Sequence, residues 1–327
     1  MSDITHLLEL VADDMHHVEE KMRSGVAERY PDLAAVVDYL MGAGGKRLRP
    51  VLSLMASKFF TADPDKNYAL AASVELLHTA TLVHDDLIDH ALLRRGMPTL
   101  NASWSAGSTI LTGDYLFARS AELSAETESV RIVKLFAQTL MTIVSGELQQ
   151  LFNDGHDQVP TREQYEQRIY AKTASLFSAG TEGAAILGGA TQAQEDALRK
   201  YGDNLGKAFQ IMDDVLDFQG DEDVVGKPVA NDLRQGIATL PVMLFSQNNP
   251  SHPTINTIKK AIIREDVSDE EILAIVEAIR TSGAIETTLE EARHYARQAQ
   301  VNLQIFPDSQ YRQAMLEIAD YAVARDV

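Results

Sequence analysis

Residues 274–303 read "AIVEAIRTSGAIETTLEEARHYARQAQVNL". Apolar side chains recur at three- and four-residue spacing, the period that lines one face of an α-helix. The same period runs through nearly all of the 327-residue chain. Ala, Leu, Glu and Gln, all good helix formers, are abundant. Alternating β-rich runs bounded by turns are hard to find. Interruptions are short and local, such as "GAGGKRLRP" at 42–50, "RRGMPT" at 94–99, "NDGHDQVP" at 153–160 and "QGDEDVVGKPVAND" at 219–232. The segments between them have helix length, and no low-complexity linker separates them. The expectation is one all-α domain over residues 1–327, packed as a large helical bundle.

Composition narrows the function. With 45% hydrophobic residues the chain can bury a sizeable core. A formal net charge of −19 argues against nucleic acid as a partner and against electrostatic docking on anionic lipid. It leaves room for a small phosphorylated substrate, because clustered cations or a bound metal dominate locally. The chain has no cysteine, so disulfides, Cys-ligated zinc and a thiol nucleophile are excluded, and a reducing cytoplasm fits. The start, "MSDITHLLELVADDMHH", is acidic and lacks the pattern of a signal peptide. No apolar run reaches the length of a membrane span, so no integral membrane segment is expected.

Two stretches carry the chemistry. "LVHDDLIDH" at 82–90 and "MDDVLD" at 212–217 both contain DDxxD at the end of an apolar helical segment. On a helix Asp85 and Asp89 share a face with Asp86 beside them, and Asp213, Asp217 and Asp214 repeat that arrangement. Carboxylates at such range repel and take up protons unless a cation sits among them. Oxygen-only ligands with gaps for water suit Mg²⁺, which also bridges to substrate phosphates. A solvated helix face is the simpler reading of one such cluster. Two clusters, each flanked by apolar residues, argue against it.

Basic groups point to a second anionic substrate group. "GGKRLRP" places Lys46, Arg47 and Arg49 just before a helix that Pro50 can start, a favourable anion site. Arg94 and Arg95 follow the first aspartate cluster, and His78 lies two helical turns before it. Lys172 and Thr173 in "YAKTASLF" and Lys227 in "VGKPV" add donors. Each has a bland reading alone, and the set carries the weight.

Taken in order, "GGKRLRP", "ELLHTATLVHDDLID", "RRGMPT", "GDYLFARS", "GELQQL", "YAKTASLF", "FQIMDDVLDF", "GKPVANDL" and "TLP" cover nearly the whole chain. In this the chain resembles the trans-isoprenyl diphosphate synthases, also called polyprenyl synthases. The resemblance implies an all-α bundle around a central cavity, Mg²⁺ as cofactor and usually a homodimer, in some members with a small accessory subunit. It implies that Asp85, Asp86, Asp89, Asp213, Asp214 and Asp217 bind Mg²⁺ ions that hold the diphosphate of an allylic substrate such as farnesyl or geranylgeranyl diphosphate. Arg94, Lys172, Thr173, Gln210 and Lys227 match allylic-substrate positions. Lys46, Arg49, His78 and Arg95 match the isopentenyl diphosphate site. One position departs: after "NDL" the family commonly has Gly-Lys-x-Thr, and here "GIATLP" puts Ile237 in place of the lysine. The change bears on allylic binding rather than on the activity itself.

The implied reaction breaks the allylic C–O bond and adds the double bond of isopentenyl diphosphate to the resulting cation. A proton is then lost, plausibly to the released diphosphate. Metal ions stabilise the departing charge, so no protein general acid is needed. Lys172 would face the diphosphate, with the Thr173 and Gln210 oxygens toward the cation. The loops at 92–99 and 220–231 are candidates to exclude water.

The product must extend into apolar space. Thr81 and Ala80 lie one turn before Asp85 and are small where short-chain members of the family carry bulky aromatics. The path is expected to continue past Leu77 and Leu76, with Phe136, Leu140 or Met141 as candidate floor residues. This resembles the long-chain synthases, with hexaprenyl to decaprenyl products of the kind attached to quinones. The alternatives are a shorter-chain farnesyl or geranylgeranyl synthase and a catalytic subunit of a heteromeric synthase. A terpene cyclase or head-to-head synthase is disfavoured by the second DDxxD and by "GGKRLRP", and an inactive accessory subunit by the presence of both clusters.

Overall fold

A computed structural model describes residues 4–24, 31–42, 44–153, 159–219 and 228–324. Its helices, in chain order, are α1 (Thr5–Glu9), α2 (Ala12–Arg23), α3 (Pro31–Gly42), α4 (Leu48–Ser57), α5 (Pro64–Ile88), α6 (Leu100–Ser103), α7 (Ala106–Glu126), α8 (Val130–Asn153) and α9 (Arg162–Ile169). A π-helical turn (Tyr170–Ala174) then leads into α10 (Ser175–Leu187), α11 (Gln192–Gln219), α12 (Asn231–Arg234) and α13 (Leu240–Asn248). The remainder is α14 (Ile255–Ile262), α15 (Asp269–Thr281), α16 (Ala284–Asn302), a 3₁₀ turn and α17 (Gln310–Val323). Among the described residues the only strands are β1 (Leu93–Arg94) and β2 (Met97–Pro98). The all-α expectation holds.

The 274–303 stretch is two helices rather than one. Gly283 sits at φ 81°, a left-handed conformation that costs glycine little, and it separates α15 from α16. Upstream, Ser268 and Glu271 form a reciprocal capping box that fixes the start of α15.

Two long helices organise the bundle. α5 begins on the Asp63 cap with Pro64 in its first turn. From Ala69 to Leu77 every side chain is buried, Ser73 and Glu75 included, so this part of the helix is enclosed on all sides and occupies the centre. It packs most extensively against α7, while α11 packs against α10 and α16. α11 also crosses the whole core: Leu198, Tyr201 and Leu205 join one apolar cluster, Met212, Val215 and Phe218 a second, and Ile211 a third. Gly202 and Gly206 explain its close approach to the neighbouring helix. A Cβ on Gly202 would lie 2.5 Å from the Phe177 carbonyl oxygen, and one on Gly206 would collide with Ala174. Glycine inside a helix costs roughly 1 kcal/mol against alanine, and here it lets α11 reach the turn that carries Lys172. Among the described residues no helix is long and apolar enough to cross a membrane.

Candidate active site

The first aspartate cluster closes α5. Asp85 and Asp86 lie in its last turn and Asp89 is the capping residue, its amide donating to the Asp85 carbonyl at 2.8 Å. Acidic groups at a helix C-terminus oppose the helix dipole, so local stability does not account for them. Asp86 is 7% exposed and is gripped by Arg94, with Nε donating to Oδ1 at 2.9 Å and Oδ2 at 3.0 Å and Nη2 at 2.8 Å from Oδ1. Asp89 is exposed. Burial pushes the Asp85 carboxyl up to about 7, Glu147 of α8 adds to the rise, and Lys172 opposes it.

Arg94 reaches Asp86 because "RRGMPT" is a hairpin rather than an irregular loop. Leu93 pairs with Pro98 and Arg94 with Met97. Arg95 and Gly96 make the two-residue turn with φ of 52° and 76°, as tight hairpins require. Arg95 then donates from Nη1 to the Gly44 carbonyl, tying the hairpin to the "GGKRLRP" segment.

The second cluster lies deeper. Asp214 is 2% exposed and accepts from Tyr165 Oη at 2.7 Å, Gln210 Nε2 at 3.3 Å and the Leu240 amide at 3.5 Å. Burial raises its carboxyl to about 7, helped by Asp232 and opposed by Tyr165. Asp217 accepts the Asn231 and Asp232 amides at 3.0 and 3.2 Å and so holds the start of α12. Burial also raises the Asp217 carboxyl. Asp213 is partly buried and lies within electrostatic reach of Arg49.

Lys172 and Thr173 occupy the π-turn, a rare helical irregularity that concentrates at functional sites. Thr173 Oγ1 donates to Gln210 Oε1 at 2.7 Å, joining the turn to α11. Gln210 in turn reaches Asp214, so Thr173, Gln210 and Asp214 form one chain of bonds.

Four of the arginines lie within electrostatic reach of His78. Burial and the neighbouring Arg49, Arg95, Arg94 and Arg47 hold its pKa well below the usual histidine value, so the ring is neutral at physiological pH. Arg49 stacks on Phe177 at 4.8 Å, and its Nε is buried without a hydrogen-bond partner. Lys46 lies 4.2 Å from the centre of the Tyr321 ring. Arg47 is turned inward by a left-handed backbone (φ 49°) onto Glu75, at 2.6 Å, and the Met41 carbonyl. An unpartnered guanidinium nitrogen within a ring of like charges is a site for an anion. Lys227 and the 220–227 part of the second loop lie outside the described residues.

Two cavities lie in this part of the bundle. One, of about 90 Å³, is lined by Gln150, Arg168, Lys172, Gln210, Asp214 and Thr239, together with Ile169, Asp232 and Ile237. The other, of about 20 Å³, is apolar and lies between α5, α8 and α10, with Leu70, Val74, Leu77, Ile132, Phe136 and Leu176 in its wall. Leu77 and Phe136 are there as expected. Ala80 is fully buried one turn nearer Asp85, and Thr81 bonds back to the His78 carbonyl at 2.8 Å. Met141 is 61% exposed on the outer face of α8 and does not serve as a floor.

Glu147, Arg168, Tyr165 and Thr239 were not expected from the sequence as site residues. "GELQQL" hints at Glu147, but no spacing rule links α9 or the segment before α13 to the aspartates.

The donor chemistry fits Mg²⁺. Among the described residues no group of three His, Cys, Asp or Glu side chains comes together to hold a metal ion unaided. The like-charge neighbours that raise Asp85 are the repulsion a divalent cation would relieve.

An α-helical bundle in which Lys172 lies within electrostatic reach of Asp85, and Asp213 within reach of Arg49, brings two carboxylate clusters and a guanidinium patch near one another, an arrangement suited to polyanions. A family model described as "Polyprenyl synthetase" matches residues 30–279. The chain is 36% identical to the all-trans-nonaprenyl-diphosphate synthase (geranyl-diphosphate specific) of Rhodobacter capsulatus, over 98% of this chain and 97% of that one. It is 37% identical to heptaprenyl diphosphate synthase component 2 of Geobacillus stearothermophilus, over 97% of each. A polyprenyl synthase of Caulobacter crescentus, crystallised with calcium and isoprenyl diphosphate, superposes with a TM-score of 0.89 at 38% identity, covering 99% of this chain and 98% of that one. This chain belongs to the polyprenyl synthetase family.

Proposed function

We propose that the chain is a long-chain all-trans polyprenyl diphosphate synthase. It joins isopentenyl diphosphate head-to-tail to an allylic diphosphate, repeatedly, giving a hexaprenyl to decaprenyl product. The observation that carries this reading is the line along α5. From Asp85, beside the charged site, the helix leads past Thr81, Ala80 and Leu77 to the apolar cavity wall at Leu70. That is about 22 Å of helix. α5 would thus flank the polar head at its end and the hydrocarbon tail along its length.

Asp85, Asp86, Asp89, Asp213, Asp214 and Asp217 are the proposed oxygen ligands for Mg²⁺. Asp86 also bonds to Arg94, Asp214 to Tyr165 and Asp217 to the α12 amides. When bound, Mg²⁺ supplies charge stabilisation for the departing diphosphate. Lys172, with Lys227, binds that diphosphate. Thr173 and Gln210 present fixed dipoles beside the reacting carbon. Lys46, Arg49, Arg95 and neutral His78 hold the diphosphate of isopentenyl diphosphate so that its double bond can attack. The released diphosphate accepts the proton.

The active form is proposed to be a homodimer in the cytoplasm. α8 exposes Val133, Met141, Val144, Leu148 and Leu151, an apolar face suited to a second copy. The relative called component 2 supports a second reading, in which a different small subunit covers this face. The test of function is isotope incorporation from isopentenyl diphosphate into geranyl, farnesyl and geranylgeranyl primers. Incorporation that needs Mg²⁺ and stops on chelation supports the reading. Absence of incorporation with every primer, with or without added metal, removes it.

A further inference from the structure

Ile237 removes a cation from the region where "GIATLP" meets the site, yet the cavity there is not without positive charge. Arg168 shares the 90 Å³ cavity with Ile237 and Lys172. Its Nη2 donates to the carbonyl of Ala238, the residue next to Ile237, at 2.7 Å. Its guanidinium also stacks on Tyr165, 5.5 Å from the ring centre. That one backbone bond leaves further N–H donors on the guanidinium.

A second, independent feature marks the same cavity. Thr239 is the residue before α13, where a threonine normally caps the helix with its side chain. It does not do so here: the hydroxyl makes no capping bond, the second helical residue is Pro241 and has no N–H to offer, and the Leu240 amide bonds to Asp214. Thr239 is 2% exposed, and its Oγ1 is buried without a partner at the cavity wall. A buried hydroxyl left unpaired is costly unless a ligand completes it.

We propose that Arg168 and Thr239 are diphosphate-binding residues, with Arg168 supplying from α9 the positive charge that Ile237 does not. The ligand is the diphosphate of the allylic substrate, so the inference rests on the functional reading above. Arginine suits the role because its planar fork can hold the Ala238 carbonyl and a phosphate oxygen together.

The experiment compares wild type, Arg168→Gln, Thr239→Val and Arg168→Gln/Ile237→Lys. Calorimetric affinity for inorganic diphosphate, with and without Mg²⁺, is read beside the separate KM values for allylic primer and isopentenyl diphosphate. Arg168→Gln is expected to weaken diphosphate binding and raise the allylic KM by about tenfold, leaving the isopentenyl KM unchanged. Adding Ile237→Lys is expected to restore most of the loss. Thr239→Val is expected to weaken diphosphate binding while its Tm holds or rises, since the unpaired hydroxyl is gone; a merely structural threonine would not separate the two. Unchanged diphosphate affinity in Arg168→Gln and Thr239→Val overturns the inference, as does an equal rise in both KM values that Ile237→Lys does not reverse. If Arg168→Gln fails to fold, Thr239→Val decides. A wild-type protein that elongates no primer overturns the functional reading instead, so the two failures are distinct.

Discussion

The two DDxxD clusters are near copies in sequence, but the fold supports them by opposite means. The first ends α5 at the edge of the bundle, with Asp89 exposed and Asp86 balanced by the charge of Arg94. The second lies inside α11, where Asp214 is held by a tyrosine hydroxyl, an amide side chain and a backbone amide. Asp86 is balanced by an ion pair and Asp214 by fixed dipoles. A shared motif therefore specifies the chemistry and leaves each wall to be stabilised by its own surroundings.

The largest expected effect ignores that difference. Asp85→Ala and Asp213→Ala should each lower turnover about a hundredfold or more, with helicity by circular dichroism unchanged. If either variant turns over normally at saturating Mg²⁺, the two clusters do not share one task. Next come the supports. Tyr165→Phe leaves Asp214 short of a buried donor and should cost about 2 kcal/mol by denaturant unfolding. Arg94→Met should cost less, about 1 kcal/mol, because the Arg94 side chain is 36% exposed and the buried Asp86 left behind can take up a proton. The reverse order would break the distinction between the inner and outer clusters.

The pH dependence is a smaller effect. Asp85 and Asp214 titrate near 7 in the fold, above the ordinary 3.8. Each raised carboxyl binds its proton more tightly folded than unfolded. Its stabilising contribution is complete below about pH 4 and is lost as pH rises through about 7. A divalent cation binds the ionised form and opposes that loss. The rise in Tm on adding Mg²⁺ should be larger at pH 8 than at pH 6, and an equal rise would contradict the linkage. The last comparison concerns the apolar helix behind each cluster. Ala80 and Ala208 each stand five residues before the first aspartate and are equally buried. Ala80→Phe should shorten the product with little change in the first condensation. Ala208→Phe should lower stability without altering product length. Chromatography of the products separates the two cases.

Much of this was legible in the chain. Helical period fixed the all-α class, and i, i+4 spacing placed each aspartate pair on a face. The sequence also named Arg47, Arg49, Arg94 and Arg95, the arginines that act on His78. What stayed hidden depends on contacts between distant segments. Gly146 and Gly206 stand opposite the π-turn at Tyr170–Ala174, where a Cβ would crowd Ala171 or Ala174. The tight hairpin at 93–98 has Arg95 rather than glycine in its first left-handed position, so it reads as an irregular loop. Arg168, Thr239 and Glu147 acquire meaning only once α8, α9 and the start of α13 stand beside the aspartates.

The central claim is that the charged site and the apolar path behind it make a long chain. The direct measurement is the length distribution of products formed by the purified protein alone, from Mg²⁺, excess isopentenyl diphosphate and a farnesyl diphosphate primer. The account predicts products from hexaprenyl to decaprenyl. Products that stop at farnesyl or geranylgeranyl length would contradict it.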